Sequence, residues 1–318
     1  MLNSGTPVTG EGYAPAHITG FFTVCRSEEP IRSGSTGAGI CIAGGVKTRL
    51  SAREGRPSGF QLRCNGSPVS SPTCSYVASR MVPEQEGYAI VAEQESVLPA
   101  NYGYGVSGSS ALSLAISINR ALGMGMSLRE VASVAHVAEV VNETGLGDVL
   151  AETVGGLEVR TSPGGPGIGV ARQIPLSEDY VVISTPVAEF QTRRMITERL
   201  TVNRINRLGK EALEAFLESP TVENFMFQSR RFWDGVGLSN EVIRSVLKRY
   251  ESAGVENPSA KKGLVFAVVE RARLAGILRS LAEGGSDSEV PPSVLAMPGG
   301  LRLIVSEIHR SGMEWESV

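Results

Sequence analysis

Residues that bind metals or form disulfides are scarce in this sequence. Its 318 residues include three histidines and four cysteines, and no two cysteines stand in a C-x-x-C pair. The residues in question are Cys25, Cys41, Cys64, Cys74, His17, His136 and His309. A structural zinc ion needs four converging nitrogen or sulfur ligands, which these spacings do not provide. The sequence therefore predicts no zinc site and favours scattered, reduced thiols.

An excess of positive charge is also absent. Lys and Arg number 30 against 33 Asp and Glu, a net charge of −3, so the composition does not indicate a nucleic-acid partner. The first residues lack a basic segment followed by an apolar one, which predicts no signal peptide and a cytoplasmic protein. The longest uncharged run, residues 96–119, holds Pro99 and many Gly and Ser residues. It is expected to form a buried loop and core helix rather than a membrane span.

Short strands interrupted by glycine and proline dominate the first 90 residues. The strand-like segments are HITGFFTVC, GAGICIAGGVKTRLSA, GFQLRC and GYAIVAEQESV. Helical periodicity is expected only after Gly108, where residues 110–122 are apolar on nearly every side and predict a buried helix. Ser109 or Ser110 is its expected N-cap. A second helix is predicted from Ser127, which forms a capping box with Glu130, to about residue 142.

The pattern of elements changes near residues 170–178, where a domain boundary is predicted. Before it, LEVRTS is expected to form a strand and PGGPGIG a turn. Beyond it, the strand DYVVISTP precedes a charged, almost wholly helical stretch that reaches Gly254. The strand GLVFAVV, the helix RARLAGILRSLAEG and the strand LRLIVSEI follow. This order predicts an N-terminal domain of residues 1–174 and a C-terminal two-layer α+β domain of residues 175–318.

Gly103, Gly105 and Gly108 form the pattern G-x-G-x-x-G inside the segment LPANYGYGVSGSSA. A dinucleotide fold requires a second strand that delivers an acidic residue about 20 positions later, but Leu128 stands there, inside the second predicted helix. A Walker A loop is excluded because no Gly-Lys-Ser/Thr follows the glycines. Glycine N–H groups and a helix N-terminus can still bind an anion. The local sequence leaves two interpretations open, a phosphate-binding loop or a tight turn that only begins a core helix.

The same segment resembles the second motif of the GHMP kinases, in which a proline precedes a Gly-Leu-Gly-Ser-Ser-Ala loop. Here Pro99 stands four residues before Gly103, and GYGVSGSSA takes the place of the shorter loop. APAHITGFF, residues 14–22, resembles the first motif of the family. TGLGDVLAETVGG, which contains Asp148, is similar to the family's Gly-x-Asp stretch. The third motif is weak, since NPSAKKGLVFAV retains mainly Gly263.

This resemblance implies an α+β, two-domain fold of the GHMP kinase type. The N-terminal domain would contain a mixed sheet with helices, and the C-terminal domain would be ferredoxin-like with additional helices. Within the superfamily, GSTGAGICIAGGV and PTVENFMFQSRRFWDGVGL are most similar to the archaeal pantoate kinases. The implied activity is transfer of the ATP γ-phosphoryl group to the primary hydroxyl of pantoate, giving 4-phosphopantoate in coenzyme A biosynthesis. The alternatives are another small alcohol, such as mevalonate or homoserine, and a non-catalytic nucleotide-binding homologue.

The family likeness also implies roles for individual residues. Those expected to bind the nucleotide are Pro99, Gly103, Gly105, Ser107, Gly108, Ser109 and Ser110. Mg²⁺ prefers hard oxygen ligands, and Ser110, or else Ser109, is expected to bind it together with Glu139. Asp148 is the expected catalytic base for the acceptor hydroxyl. ATP and Mg²⁺ are therefore the implied phosphoryl donor and metal cofactor.

His17 stands where relatives such as mevalonate kinase carry a lysine that steadies the catalytic aspartate. It is expected to pair with Asp148 or to bind the substrate carboxylate, for which Thr19 is a further candidate. The candidate cations for that carboxylate are Lys47, Arg49, Arg193 and Arg194. His136 is expected to pack in the core. The likeness further implies a homodimer, with neither a nucleic acid nor a membrane as partner.

Overall fold

The structure is a computed structural model that describes residues 6–55, 58–82, 87–190, 192–237, 240–282 and 293–312, without the side chains of residues 192–194 and 293. Within these ranges the chain forms two β-sheets, each covered by helices. This architecture confirms the predicted α+β class. Among the described helices, none combines the length and the apolarity that crossing a bilayer requires.

The first sheet contains seven strands of the described chain, in the order β4-β3-β5-β2-β6-β7 with β1 paired to β2. Its strands are β1 (Val8–Phe22), β2 (Gly37–Glu54), β3 (Gly59–Cys64), β4 (Ser67–Pro68), β5 (Tyr88–Glu95), β6 (Leu157–Ser162) and β7 (Val170–Ile174). β3 and β5 run parallel while the other neighbours run antiparallel, so the sheet is mixed, as predicted. The long β1–β2 pairing places His17 opposite Cys41 in the middle of the sheet.

The second sheet is antiparallel and has the strand order β11-β12-β8-β10-β9. Its strands are β8 (Tyr180–Pro186), β9 (Ser259–Lys261), β10 (Leu264–Glu270), β11 (Ser293–Met297) and β12 (Leu301–Glu307). Without the edge strand β11, the order β12-β8-β10-β9 is that of a βαββαβ ferredoxin-like unit, as predicted. The strands β4, β7, β9 and β11 were not predicted from the sequence, because each is short.

The helices cover both sheets and include two short ones, at residues 72–81 and 148–154, that the sequence interpretation missed. They are α1 (Pro72–Met81), α2 (Val106–Leu122), α3 (Leu128–Asn142), α4 (Asp148–Val154), α5 (Thr192–Thr197), α6 (Arg199–Glu218), α7 (Val222–Val236), α8 (Glu241–Ser252) and α9 (Arg271–Leu281). Because α1 lies in the first 90 residues, the expectation that helical structure begins only after Gly108 is wrong. The start signal was present in the sequence: Ser71 accepts a hydrogen bond from the Cys74 N–H at 3.2 Å, just before Pro72.

Helix α2 is buried along most of its length, as predicted, but it begins at Val106 rather than at residue 110. Its N-cap is Gly105, with φ at 70°, so the prediction of Ser109 or Ser110 as the cap is wrong. The left-handed backbone of this glycine turns the chain from the loop directly into the helix. Further along, a Cβ on Gly12 of β1 would lie 2.1 Å from the Ser113 carbonyl oxygen. That glycine therefore lets α2 pack closely against the strand that carries His17.

A hydrophobic cluster extends from the first sheet through the helices to the second sheet. It includes Phe21 of β1, Phe225 of α7 and Phe266 of β10, and Phe21 and Phe225 have ring centroids 6.2 Å apart. An isolated bridge pairs Ile42 with Ile308 and joins the ends of the two sheets. Because the halves share this core, the catalytic candidates of both are held in one place. The division into domains at residues 174 and 175 stays a prediction.

Helix α3 begins with the predicted capping box and buries His136. The Ser127 N–H donates to Glu130 Oε2 at 2.8 Å, and the Glu130 N–H donates to Ser127 Oγ at 3.4 Å. His136 Nε2 donates to the Ser33 carbonyl oxygen at 2.9 Å, and the residue is 1% exposed. Burial lowers the pKa of His136 to about 4, against an ordinary value of 6.5. The histidine is thus a neutral core residue, which agrees with the expectation that it packs.

We predict that His136 makes the fold sensitive to mild acid. Its pKa in the folded protein is about 4 and its ordinary value is 6.5, so between these values the unfolded chain binds a proton that the folded protein excludes. Stability is therefore lost as the pH falls through this window, by about 3 kcal/mol at most for this group. His136→Gln, whose amide N–H can still reach Ser33, should unfold in urea with a weaker pH dependence than the wild type between pH 7 and pH 4. Equal slopes for the two proteins would contradict the assignment.

Candidate active site

The glycine loop between β5 and α2 is fixed against strands from both sheets. The His17 N–H donates to the Tyr104 carbonyl oxygen at 2.8 Å, and a Cβ on Gly105 would lie 3.0 Å from His17 O. On the other side, a Cβ on Gly103 would lie 2.8 Å from the Lys261 carbonyl oxygen. Glycine is thus required at both positions, because a larger residue would separate the loop from β1 and β9.

A cleft of about 250 Å³ opens beside this loop at the N-terminus of α2. This loop cleft is lined by Asn101, Gly103, Gly105, Val106, Ser107, Asn142, Glu143, Thr144, Asp148, Phe190 and Lys262. Three of the residues predicted to bind a nucleotide, Gly103, Gly105 and Ser107, therefore face one open space. The other predicted residues, Pro99, Gly108, Ser109 and Ser110, are not among those that line it.

The three serines at the start of α2 have different partners. The Ser107 hydroxyl lies near the carboxyl group of Glu139 and acts to lower its pKa. Ser109 Oγ donates to the Pro15 carbonyl oxygen at 2.7 Å and also reaches Glu152 Oε1 at 3.0 Å. Ser110 Oγ donates to Gln94 Oε1, on the side of the helix that faces β5. The hydroxyl that acts on Glu139 is thus that of Ser107, while the role of Ser110 and Glu139 as joint ligands of Mg²⁺ stays a prediction.

Two buried glutamates stand beside the first turn of α2. Glu139 Oε1 accepts a hydrogen bond from Thr144 Oγ1 at 2.7 Å, and burial together with the charge of Asp148 raises the pKa of Glu139 to about 7. Glu152 is fully buried, its Oε2 has no hydrogen-bond partner, and burial raises its pKa well above the ordinary value. A Cβ on Gly108 would lie 3.1 Å from Glu152 Oε1 and 3.3 Å from Glu139 Oε2. The glycine thus leaves room for both carboxyl groups.

Asp148, the first residue of α4, is the most strongly held acid of the site. Its Oδ1 lies 2.7 Å from His17 Nδ1, 3.4 Å from Thr19 Oγ1 and 3.7 Å from Lys261 Nζ. Burial alone would raise the pKa of Asp148, but the charge of Lys261 and the hydrogen bond and charge of His17 outweigh it and lower the pKa well below the ordinary value. The group is therefore a carboxylate at neutral pH, and its side chain keeps 12% exposure. The expected pairing of His17 with Asp148 is present.

His17 bridges two carboxyl groups. Its Nε2 lies 3.1 Å from Glu158 Oε1, while its Nδ1 contacts Asp148. A neutral imidazole has one N–H donor, so either the ring carries both protons or Glu158 is itself protonated and donates to it. In both cases the ring orientation is fixed from two sides. His17 is fully buried, which favours a positioning role over direct contact with a substrate.

A second cavity lies on the other side of Asp148. This Arg160 cavity has a volume of about 30 Å³ and is lined by Thr19, Phe22, Ser35, Gly145, Leu146, Gly147, Asp148, Arg160, Met195, Ile196, Trp233, Lys261 and Lys262. Arg160 Nη1 donates to the Gly147 carbonyl oxygen at 3.1 Å, and its Nη2 lies 3.6 Å from Glu158 Oε1. Nε and Nη2 of Arg160 and Nε1 of Trp233 are buried donors without a hydrogen-bond partner. Such orphaned donors indicate a site for an anionic or hydroxyl-bearing ligand.

The predicted carboxylate-binding cations on β2 lie elsewhere. Lys47 Nζ pairs with Glu11 Oε2 at 2.8 Å and Arg49 Nε with Glu11 Oε1 at 3.1 Å, and both side chains are exposed. Neither lines the loop cleft or the Arg160 cavity. Strand geometry explains this, because Lys47 is about 20 Å along β2 from Cys41, the partner of His17. The side chains of Arg193 and Arg194 lie outside the described part of the structure.

Several residues of the site escaped the sequence interpretation. They are Glu152, Glu158, Arg160, Lys261 and Lys262. Glu158 and Arg160 belong to LEVRTS, where charged residues alternate along a strand that was predicted correctly. Both are buried, at 0% and 1% exposure, although an isolated strand would suggest a solvated face. Lys261 and Lys262 precede Gly263, the main residue of the weak third motif. The sequence signal that could have identified these two residues is a pair of lysines directly before an apolar strand.

The donor set suits a hard cation better than zinc. No group of three or more His, Cys, Asp or Glu side chains positioned to hold a metal ion occurs within the described ranges. Glu139 and Ser107 instead offer one carboxylate and one hydroxyl next to the open loop cleft. Mg²⁺ is commonly bound by one or two carboxylates, with water and phosphate oxygens as its other ligands. The residues present therefore fit Mg²⁺ held together with a phosphate chain.

Known proteins resemble this chain in both sequence and fold. Residues 74–156 match the family model described as the GHMP kinases N terminal domain. The pantoate kinase of Thermococcus kodakarensis is 36% identical over 265 residues, which cover 81% of this chain and 86% of that protein. The pantoate kinase of Methanocaldococcus jannaschii is 33% identical over 271 residues, covering 85% and 96%. A solved structure described as a phosphotransferase related to the CoA biosynthesis pathway has a TM-score of 0.81 and 29% identity, and covers 95% of this chain and 97% of its own.

Proposed function

The chain belongs to the pantoate kinase family of the GHMP kinases, and on that premise we propose that it transfers the γ-phosphoryl group of ATP to the primary hydroxyl of pantoate. One observation carries the proposal: Asp148 lines both the loop cleft and the Arg160 cavity. An acid shared by two adjoining spaces can accept a proton from a hydroxyl in one while a phosphate lies in the other. The product is 4-phosphopantoate.

The loop cleft is the proposed site of the ATP phosphates. Helix α2 has 17 residues, and its first N–H groups, from Val106 onward, have no carbonyl partner within the helix. Together with the partial positive charge of the helix N-terminus, they favour an anion at this point. Gly103 and Gly105 line this cleft, and their lack of a side chain lets the loop lie close against β9 and β1. The cleft is open enough for a phosphate chain to enter beside Ser107.

Glu139 and Ser107 are the proposed protein ligands of Mg²⁺. When bound, the ion would neutralise charge on the phosphate oxygens during transfer. Glu139 is oriented for this role by Thr144, and Gly145 keeps the space beside Glu139 Oε2 free, since a Cβ there would lie 2.0 Å from that atom. The assignment of Ser110 as the metal-binding serine stays a prediction from the sequence.

The Arg160 cavity is the proposed site of pantoate. Pantoate carries a carboxylate, a geminal dimethyl group and a primary hydroxyl, and the cavity offers a partner for each. The N–H groups of Arg160 that lack a hydrogen-bond partner suit the carboxylate, the side chains of Phe22 and Met195 suit the methyl groups, and Asp148 suits the hydroxyl. A volume of about 30 Å³ holds about two water molecules, so pantoate has to displace side chains such as Ile196 on entry.

Asp148 accepts the hydrogen bond, and then the proton, of the acceptor hydroxyl. In transfer, the hydroxyl oxygen forms a bond to the γ-phosphorus, the bond from that phosphorus to the β–γ bridging oxygen breaks, and ADP leaves. A carboxylate of low pKa is a weak base, but in a loose transition state the nucleophile keeps its proton until late. Orientation therefore matters more than basicity, and His17 and Lys261 supply it by fixing the carboxylate.

The site also bears on the alternative acceptors. Homoserine would bring an ammonium group into a cavity already lined by Arg160, Lys261 and Lys262. Like charges in such a buried space repel strongly, which disfavours homoserine. Mevalonate has a carboxylate and a primary hydroxyl like pantoate, but its chain between them is longer, so its hydroxyl would lie differently relative to Asp148 when its carboxylate is bound to Arg160. A non-catalytic homologue would have no need of Asp148, Glu139 and their partners.

We predict phosphoryl transfer to pantoate by the purified protein with Mg²⁺ and ATP. Pantoate, mevalonate and homoserine should be offered separately, and the phosphorylated product should be measured by ³¹P NMR together with ADP release. Asp148→Asn is the matched variant, because it keeps the shape of the side chain and removes its proton acceptor. Its kcat should fall by about 10²- to 10⁴-fold while its affinity for ADP is unchanged. Transfer to mevalonate or homoserine alone would overturn the substrate, and a near-normal rate in Asp148→Asn would remove Asp148 from the mechanism.

We predict that Arg160→Gln weakens pantoate binding while leaving ATP binding intact. Loss of charge-assisted hydrogen bonds to the carboxylate should raise the KM for pantoate roughly 10- to 100-fold, with a smaller effect on the KM for ATP. Arg49→Gln, measured in parallel, tests the cation on β2. An increase in the KM for pantoate in Arg49→Gln but not in Arg160→Gln would contradict the placement of pantoate. Thermal unfolding of both variants shows whether each is folded.

We predict that Ser107→Ala needs more Mg²⁺ than the wild type for half-maximal rate. The Ser107 hydroxyl lies near Glu139, whereas that of Ser110 is directed to Gln94. Removal of one oxygen ligand should shift the Mg²⁺ requirement severalfold in Ser107→Ala and leave it unchanged in Ser110→Ala. The measurement is the initial rate over a Mg²⁺ titration at fixed ATP. A shift confined to Ser110→Ala or Ser109→Ala would instead place the metal at that serine.

A further inference from the structure

We propose that Lys262 is a catalytic residue that binds the phosphoryl group while it passes from ATP to the acceptor, an inference that rests on the proposed kinase function. Among the described residues, Asp148 and Lys262 are the two that line both the loop cleft and the Arg160 cavity. A phosphoryl group moving between these two spaces must pass the side chains that they share. A cation at that boundary is placed to neutralise charge on the transferred group.

The backbone of Lys262 supports a functional role. Five non-glycine residues in the described ranges have positive φ, and three of them, Asn65, Asn101 and Asn257, are asparagines, which tolerate this conformation. The other two are Glu143, with φ at 57°, and Lys262, also at 57°. Both line the loop cleft. A lysine retained where glycine would be unstrained suggests that its side chain is needed there.

The turn that carries Lys262 is anchored on both sides. The Gly263 carbonyl oxygen accepts hydrogen bonds from Val187 N–H at 2.8 Å and Ala188 N–H at 3.1 Å. A Cβ on Gly263 would lie 1.6 Å from Ala188 O, so a glycine is required. On the other side, Lys261 Nζ donates to the His17 carbonyl oxygen at 3.1 Å. The position of the Lys262 backbone is therefore set by β1 and by the segment after β8.

The two adjacent lysines have different surroundings, which separates their roles. Lys261 is 2% exposed and ion-pairs with Asp148, so it fixes the acid. Lys262 is half-buried beside the open spaces, and its electrostatic partners are Asp148 and Glu139. The proposed base and the proposed metal ligand thus both lie near its ammonium group. That location is where the terminal phosphate of a bound ATP would need a counter-charge.

Lys262→Gly and Lys262→Met are the variants that test the proposal. Lys262→Gly relieves the positive-φ backbone, so it should unfold at or above the wild-type temperature. Both variants should lose about 10²- to 10³-fold in kcat. The affinity of both variants for MgADP should stay within about threefold of the wild type. Aluminium fluoride bound with MgADP mimics the transferring phosphoryl group, and the affinity for this complex should fall far more. Lys248→Met, at an exposed lysine on α8, is the control for loss of one positive charge.

Three results would overturn the role of Lys262. The first is an unchanged kcat in both variants. The second is an equal loss of affinity for MgADP and for its aluminium fluoride complex, because Lys262 would then bind phosphate equally in the ground state and in the transition state. The third is a raised KM for pantoate at constant kcat, which would make Lys262 a ligand of the acceptor. If the wild type transfers no phosphate to pantoate, the proposed function fails on its own account. The comparison of MgADP with and without aluminium fluoride needs no acceptor, so it still decides the role of Lys262.

Discussion

The buried contact of Asp148 with His17 and Lys261 is the interaction on which the site depends. His17 comes from β1, Lys261 from β9 and Asp148 from α4, so three elements of both halves meet at one carboxylate. Removing a charge from water is costly, and the cost is offset only when its partners are placed well. Each of the three groups therefore needs the other two. This requirement aligns the loop cleft and the Arg160 cavity on either side of Asp148.

The surroundings of this contact are more acidic than stability alone would favour. Glu139 and Glu152 are buried with raised pKa values, and Glu152 Oε2 lacks a hydrogen-bond partner. Arg160 and Trp233 contribute unpartnered N–H groups on the opposite side. Such unsatisfied groups destabilise a folded protein unless a ligand completes them. A metal-bound phosphate chain would satisfy the acids on the side of the loop cleft. An anionic acceptor would satisfy the N–H donors on the side of the Arg160 cavity.

Local signals in the sequence predicted the frame of this site, and long-range contacts supplied the rest. The capping box at Ser127 and the buried helix α2 follow from patterns within short segments, the ferredoxin-like C-terminal fold was implied by the family resemblance, and the structure agrees with all three. His17 and Asp148 came from family motifs. Arg160 and Lys261 could not be identified in this way, because in the sequence a buried charged residue on a strand looks the same as a solvated one. Their partners are distant in the chain: Lys261 contacts a residue 244 positions away. Lys47 and Arg49 were proposed from residue type alone, and their distance along β2 separates them from Asp148.

A crystal structure with MgADP and pantoate tests the central claim most directly. The account predicts the ADP phosphates at the N-terminus of α2, the pantoate carboxylate on Arg160, and the primary hydroxyl within about 2.6–3.2 Å of an Asp148 carboxylate oxygen. A pantoate molecule bound outside the Arg160 cavity, or one whose primary hydroxyl is directed away from Asp148, would contradict it.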